Sequence, residues 1–503
     1  MLELTPGPGE KKKRRERRRD AIPRFKPDKA AQLDAVEGCP EVQVPKGHLA
    51  RQVRAWVEKL DTTALETKYS SLGRHGYAPK RVLAVWVYAS LVGLHQASKL
   101  ERALRTDMAL RLLSGGHAMS AGVLKRFRQH QGDLFQAALE QTVHLAREQG
   151  LVDERDVAVD SVRLRAHAST KQVRTLKRSR ERLEELAAQD TTALQEAKRQ
   201  EHQAKVAKHT QAVALCEQRE QSSVVLTSPA AALMKFPSGA GLPGHRATVA
   251  ACGREARLVL GVLLDAAAVD YGHLEGAVRE ARRVLVGAGL PEQTPLQVAA
   301  DAGYWSAKDL HFALSQAAWV DVLVAEPPPG EPTGAAGLHG RDAFVLDPKE
   351  RTVVCPAGTQ MRGPFHDKAH QYERYVGVGC KDCALKSLCT PGKQRNVTVD
   401  WDYEQSRNAM RARMERSDAR ERYNRRIATV EPVFSSLEEN MGFRRVSSRL
   451  PQTVRAEIVL KLLAYNVGRL VARGQLFCVF FRLLLDAPAP TPSSPQNLFW
   501  STL

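Results

Sequence analysis

Beyond Leu151 the chain is a succession of short apolar runs, and their order restricts the fold more than any other feature. Val157 to Ala166, Ala247 to Ala251 and Leu258 to Leu264 read as strands, the last two joined by a hairpin turn at Cys252-Gly253-Arg254. An amphipathic helix follows, with Leu274, Ala277, Val278, Ala281 and Leu285 on one face and a stop at Gly287 and Gly289. Next come a strand from Leu296 to Ala300, a helix opened by Ser306 with Asp309 three residues on, and a strand from Val320 to Ala325. Strand, strand, strand, helix, strand, helix, strand, with a further helix around Glu431, predicts a mixed sheet covered by helices.

Upstream the period is helical. Val82, Val85, Trp86 and Ala89 fall at i, i+3, i+4, i+7, and Phe135, Ala138, Leu139 and Val143 repeat the spacing, so a separate helical domain is expected over about 44–151. Within it Ser120 can cap a helix carrying Lys125, Arg126 and Arg128, which suits either a helix lying against DNA or an ordinary solvated face. The chain carries 75 basic against 56 acidic residues, a formal charge of +19, and such an excess favours a polyanionic partner, nucleic acid before anionic lipid. The block at residues 10–20 cannot bury itself and reads as a solvated arm. No apolar core of a signal peptide opens the chain, and Arg482 interrupts its longest apolar run near the C-terminus, so neither export nor a membrane partner is expected. Without a Gly-x4-Gly-Lys-Ser/Thr motif, no nucleotide cofactor is expected either.

Three carboxylates could carry chemistry. Asp160 lies inside a strand, where an ionised carboxylate needs a compensating cation or donor. Asp301 stands at the carboxyl end of a strand, where such sheets gather ligands, although for one such residue alone a loop or turn aspartate is the commoner explanation. Glu431, in Thr429-Val430-Glu431-Pro432, resembles a first helical turn or a kink in a longer helix. If the three converge they repel one another unless divalent cations occupy the gap, and hard oxygen ligands suit Mg²⁺ or Mn²⁺. Two such ions about 4 Å apart activate a water or a 3′-hydroxyl and stabilise the leaving oxygen of a phosphodiester.

Four of the eight cysteines cluster as Cys355-x24-Cys380-x2-Cys383-x5-Cys389, a set of soft ligands suited to a structural tetrahedral Zn²⁺. Cys39, Cys216, Cys252 and Cys478 show no paired spacing. His167 and His245 are isolated, and no role is assigned to them.

At this point the residues resemble the DDE transposases of bacterial insertion sequences. The resemblance runs over roughly 75–470 and rests on Val159-Asp160-Ser161 with Arg165-Ala166-His167-Ala168-Ser169, on Ala300-Asp301-Ala302-Gly303-Tyr304, on Tyr423-Asn424-Arg425-Arg426 leading to Val430-Glu431-Pro432-Val433-Phe434, and on Gly442-Phe443-Arg444-Arg445. It implies a ribonuclease-H-like mixed sheet with helices on its faces, an all-α N-terminal domain that helps bind transposon ends, and Asp160, Asp301 and Glu431 as the metal-binding triad. It implies double-stranded DNA as partner, with a homodimer formed on it, in the bacterial cytoplasm at the nucleoid. Relatives often carry a similar cysteine-rich insertion. Arg165, Tyr423, Arg426, Arg444 and Arg445 are the residues expected at DNA phosphates. Two features depart from the family: Glu438 stands where a lysine is expected, and Gly244-His245-Arg246 replaces a Gly-Tyr-Asn-like stretch. They motivate an alternative, a catalytically inactive or repurposed transposase-derived DNA-binding protein.

The division expected on this reading is a basic, disordered arm at 1–43, the helical DNA-binding domain at 44–151, a catalytic core at 152–326 and 401–474 with a helical insertion at 171–221, a cysteine-rich insertion at 327–400, and a C-terminal tail at 475–503.

Overall fold

The computed structural model describes residues 25–485 except 34–37, 70–74, 190–194, 237, 254, 266–271, 329–337 and 367–371, with side chains as far as Gly474. The charge block at 10–20, the Pro/Ser-rich tail at 487–495 and the Cys478 side chain fall outside the described residues.

The N-terminal region is built on the helices α1 (Leu49–Lys59), α2 (Pro79–Leu91), α3 (Ala97–Thr106), α4 (Met108–Ser114), α5 (Ala121–His130) and α6 (Gly132–Glu148). Proline at its first turn opens α2, and Ser120 caps α5 by accepting from the Val123 amide. The described part of the expected arm packs here: Ala30 and Val44 bury against Leu112, and the Lys29 amide donates to the Gly115 carbonyl at 3.0 Å.

The central sheet contains β1 (Val157–Arg165), β4 (Ala232–Lys235), β5 (Gly241–Cys252), β6 (Leu258–Asp265), β7 (Leu296–Ala300) and β8 (Val320–Val324). β1, β7 and β8 run parallel in that order; β5 lies antiparallel on the other side of β1, and β6 and the short β4 pair with β5. This is the ribonuclease-H-like mixed sheet that the resemblance implies. Gly244 sits where β5 meets both β1 and β4, and a Cβ there would come within 2.9 Å of the tip of the Phe236 ring, which would have to shift.

Between β1 and β4 the chain forms a two-stranded base, β2 (Val173–Thr175) and β3 (Ser223–Val225), carrying the helix pair α7 (Leu176–Ala187) and α8 (Glu196–Gln218). Helices α9 (Leu274–Gly287) and α10 (Ala307–Ser315) cover one sheet face, where Val157, Val159, Val298 and Ala300 bury against Ala277, Val278, Leu310 and Phe312. Asp309 ties them together. It accepts from the Ser306 hydroxyl at 2.7 Å and from the Gly272 and Leu274 amides at 2.6 and 3.0 Å, satisfying the open end of α9 from the start of α10.

After β8 comes a module of small sheets: β9 (Val345–Asp347) with β10 (Thr352–Val354), and β11 (Arg362–His366), β12 (Glu373–Val376) and β13 (Asn396–Val399) in that order. The chain then returns through α11 (Trp401–Met414), α12 (Ala419–Ser435) and α13 (Pro451–Leu485). Val430 and Val433 of α12 lie over the second sheet face with Ala158, Val162 and Val249. The same continuous core takes in Val53, Trp86 and Phe135 of the N-terminal helices and Leu460 and Val467 of α13, so the helical region shares its interior with the sheet. No described helix is long and apolar enough to cross a membrane.

Candidate active site

Strand register decides where the first two carboxylates meet. In the parallel pair of β1 and β7, Val157, Ala158 and Val159 lie opposite Val298, Ala299 and Ala300. Asp160 and Asp301 are the next residue on each strand, so they leave adjacent strands, about 4.8 Å apart, at the same level. Alternation fixes the side: Val159 and Ala300 face α9 and α10, which turns Asp160 toward the α12 face. Beyond Ala300 the chain turns into a short 3₁₀ segment, where Asp301 accepts from the Gly303 amide at 2.8 Å.

Both aspartates line one open cleft of about 730 Å³ together with Ser161, Arg163, Arg165, Phe236, Phe434, Glu438 and Arg444. Its far wall is built by the segment after α12. The Arg165 amide donates to the Arg444 carbonyl at 3.2 Å and the Val446 amide to the Arg165 carbonyl at 2.9 Å, so 444–446 lengthens the sheet along the edge of β1 that β7 leaves open. Arg445 reaches the Ala166 carbonyl at 3.3 Å through Nε.

Glu431 is placed differently from its two partners. It stands in the interior of α12, with Pro432 also inside the helix, so of the two readings of Thr-Val-Glu-Pro the helix start does not apply. Its side chain is exposed and does not line the cleft, whereas Phe434, Ser435 and Glu438, on the same helical stripe, do. A π-helical turn, Ser436–Asn440, follows α12 directly and carries Glu438 to the cleft.

Arg426 and Tyr423 sit close behind the aspartates. Arg426 is buried, its Nη1 3.1 Å from Asp160 Oδ2, and its guanidinium lies 5.6 Å from the centre of the Tyr423 ring. Burial pushes the Tyr423 phenol up; Arg426 opposes the shift, and the charges of Asp301 and Asp160 add to it. Arg426 therefore faces inward, on a carboxylate. Arg128, considered above for a DNA-facing helix, is likewise buried: it stacks 5.0 Å from the Trp86 ring and lies 3.7 Å from the buried Glu457. Lys125 and Arg126 of α5 stay exposed. His245 is buried with a 3.1 Å contact to the Ala230 carbonyl, and burial lowers its pKa; His167 meets the Ser447 carbonyl at 2.8 Å. Each ring thus has one nitrogen on a backbone carbonyl.

Cys355, Cys380, Cys383 and Cys389 line a common cavity of about 310 Å³, all as free thiols. Burial raises the Cys389 thiol; Arg395 opposes, and the other three cysteines add to the rise. A Cβ on Gly377 would fall 2.5 Å from Cys380 Sγ, so the backbone is cut back at the thiols. Four thiols around one cavity fit Zn²⁺ in donor chemistry. Among the described residues no group of three or more His, Cys, Asp or Glu side chains is already drawn together at metal-ligand spacing. Arg163, Ser161 and Phe236 line the cleft without having been singled out from the sequence: β4 and the turn that follows it, which place Phe236, carry too weak an alternation to be read.

A family model described as a transposase DDE domain matches residues 354–471, and one described as a transposase domain, DUF772, matches residues 39–130. Both are transposase families. Together they indicate, more narrowly, an insertion-sequence DDE transposase. The matched segments contain Glu431 and the four cysteines, while Asp160 and Asp301 lie between them. The search of curated proteins finds no match. Among solved structures the chain is similar to one described as the cryo-EM structure of the piggyBac transposase synaptic complex with hairpin DNA, at 9% identity over 92% of this chain and 81% of that chain, with a TM-score of 0.27. That likeness is loose and assigns this chain nothing.

Proposed function

We propose that the chain binds the ends of an insertion sequence and catalyses Mg²⁺-dependent phosphodiester hydrolysis followed by strand transfer. The observation that carries this reading is the register that brings Asp160 and Asp301 side by side on the α12 face of the sheet, lining one cleft with Arg165 and Arg444. DDE transposase domains generally use divalent metal ions. Here the oxygens of Asp160 and Asp301 would hold Mg²⁺, and Glu431, outside the cleft but on the helical stripe of Phe434 and Ser435, would have to turn toward them to complete a two-ion site; the ions when bound lower the pKa of an attacking water or 3′-hydroxyl and stabilise the leaving oxygen. The protein's own groups do the positioning. Arg426 and the Ser161 amide, the latter 2.7 Å from Asp160 Oδ1, fix the first carboxylate, and the Gly303 amide fixes the second. Arg165 presents a cation along the cleft to the DNA backbone, Arg444 lines the cleft with its guanidinium on Glu439 at 2.6 Å and would have to exchange that carboxylate for a phosphate, and Arg445 braces that wall. The four cysteines would hold a structural Zn²⁺ that orders the module before α11.

One feature favours a second reading, a DNA-binding protein without catalysis: Glu438, where the family resemblance leads one to expect lysine, adds negative charge to the cleft wall. The deciding experiment incubates the full chain with Mg²⁺ and DNA carrying the element's own terminal repeats. The proposal expects nicking and joining that Asp160→Asn and Asp301→Asn each abolish. Binding of the ends without any metal-dependent cleavage selects the second reading.

A further inference from the structure

The three-stranded sheet β11-β12-β13 has one dry and one wet face. Tyr375, Val397 and Val399 point into a small core with Phe344, Val353 and Trp401. The opposite face carries Phe365, Arg374 and Thr398 in one row, since Phe365 lies opposite Arg374 and Arg374 opposite Thr398, and all three are exposed. Every residue of β11 is exposed, and β11 is an edge strand. Phe365 is 38% exposed and contributes to no core. The guanidiniums of Arg362 and Arg374 lie 5.6 and 5.9 Å from its ring centre. Among the described residues neither arginine is paired with a carboxylate; the one acid of β12, Glu373, is buried and bonded to Arg351, Tyr375 and Trp401.

A partly exposed aromatic flanked by two arginines that no described carboxylate pairs matches what an unpaired nucleotide needs: a flat apolar surface for the base and positive charge for the phosphates on either side. In a duplex the base faces are already stacked, so a double strand engages the arginines and leaves the ring unused. We infer that this face of the cysteine-bearing module is a stacking platform for unpaired DNA bases, with Phe365 under a base and Arg362 and Arg374 at the adjoining phosphates. The inference rests on the DNA-binding reading above and adds to it a second binding surface, specific for single-stranded or opened DNA.

The test uses the full chain and fluorescent oligonucleotides of about 20 nucleotides, thymidine homopolymer against random duplex, followed by anisotropy across a salt series. Phe365→Ala is expected to weaken single-strand binding roughly 5- to 50-fold while duplex binding stays within about twofold. Arg362→Gln with Arg374→Gln is expected to flatten the single-strand salt slope by about 1.4, or roughly 0.7 for each phosphate left without its arginine. All three positions are exposed, and circular dichroism checks that the variants fold. Wild-type single-strand affinity in Phe365→Ala overturns the inference, as does an equal weakening on both DNA forms. If the wild-type chain binds neither form, the DNA-binding reading itself fails; if it binds duplex alone, only this inference does.

Discussion

Arg426→Gln separates two roles that the cleft could give its buried arginine. In the structure the guanidinium is 9% exposed as a side chain and sits 3.1 Å from Asp160, itself 18% exposed. Removing one partner of a fully buried pair costs about 3–5 kcal/mol, because the charge left behind has neither water nor counter-ion. Asp160 retains partial access to water and the 2.7 Å bond from the Ser161 amide, which brings the expected loss to about 2–3 kcal/mol. Urea unfolding of the full chain should therefore show an earlier midpoint, and Arg426→Lys, which keeps the charge but not the planar fork, should recover part of it. Because Arg426 is turned inward, the affinity for end DNA and its salt slope should barely change. If the arginine contacts a DNA phosphate instead, stability is retained, affinity falls, and the salt slope flattens by roughly 0.9; that outcome refutes the positioning role.

Lys461 gives a pH test. It is fully buried, 2.8 Å from the Ser90 hydroxyl, and burial pushes it down to about 7 against the attraction of Glu457. The unfolded chain keeps a lysine protonated to about 10.4, so between about 7 and 10 it binds the extra proton and stability should rise with pH. Lys461→Met should flatten that rise, as judged by denaturant midpoints at several pH values; an unchanged pH slope contradicts the burial argument. The cysteine cavity predicts about one zinc per chain in metal analysis of purified protein, lost in Cys383→Ser, and a wild-type chain that retains no zinc contradicts that site.

The sheet was legible because strand-length apolar runs and their spacing are local properties: the ends read for Leu296–Ala300 and for the helix after Ser306 coincide with β7 and the start of α10. Asp301 was legible for the same reason, since it follows a run whose length shows where its strand ends, and Asp160 because a carboxylate inside a strand is out of place there. Their adjacency was not, because register belongs to the pairing and not to either strand. Glu431 illustrates another limit. Proline marks a helix start in most sequences, and only the tertiary contacts of Val430 and Val433 hold a proline-containing helix across the sheet. Arg128 and Arg426 look alike in sequence to the exposed Lys125 and the half-buried Arg425 nearby; what distinguishes them is an acid, Glu457 or Asp160, contributed from more than 200 residues away. The helical region was expected to stand alone, and its shared core with α13 could not be read from periodicity, which shows that a face is apolar but not what covers it.

The paired aspartates are tested most directly by a Mn²⁺ titration of the wild-type chain and of Asp160→Asn, Asp301→Asn and the double variant, read by electron paramagnetic resonance. Two carboxylates on neighbouring strands that grip a common cation should each be needed: either single variant should lose about tenfold or more in affinity, and the double variant should lose little beyond the singles, because the shared ion is already gone. Undiminished Mn²⁺ binding in either single variant would contradict the claim that Asp160 and Asp301 form one metal-binding site.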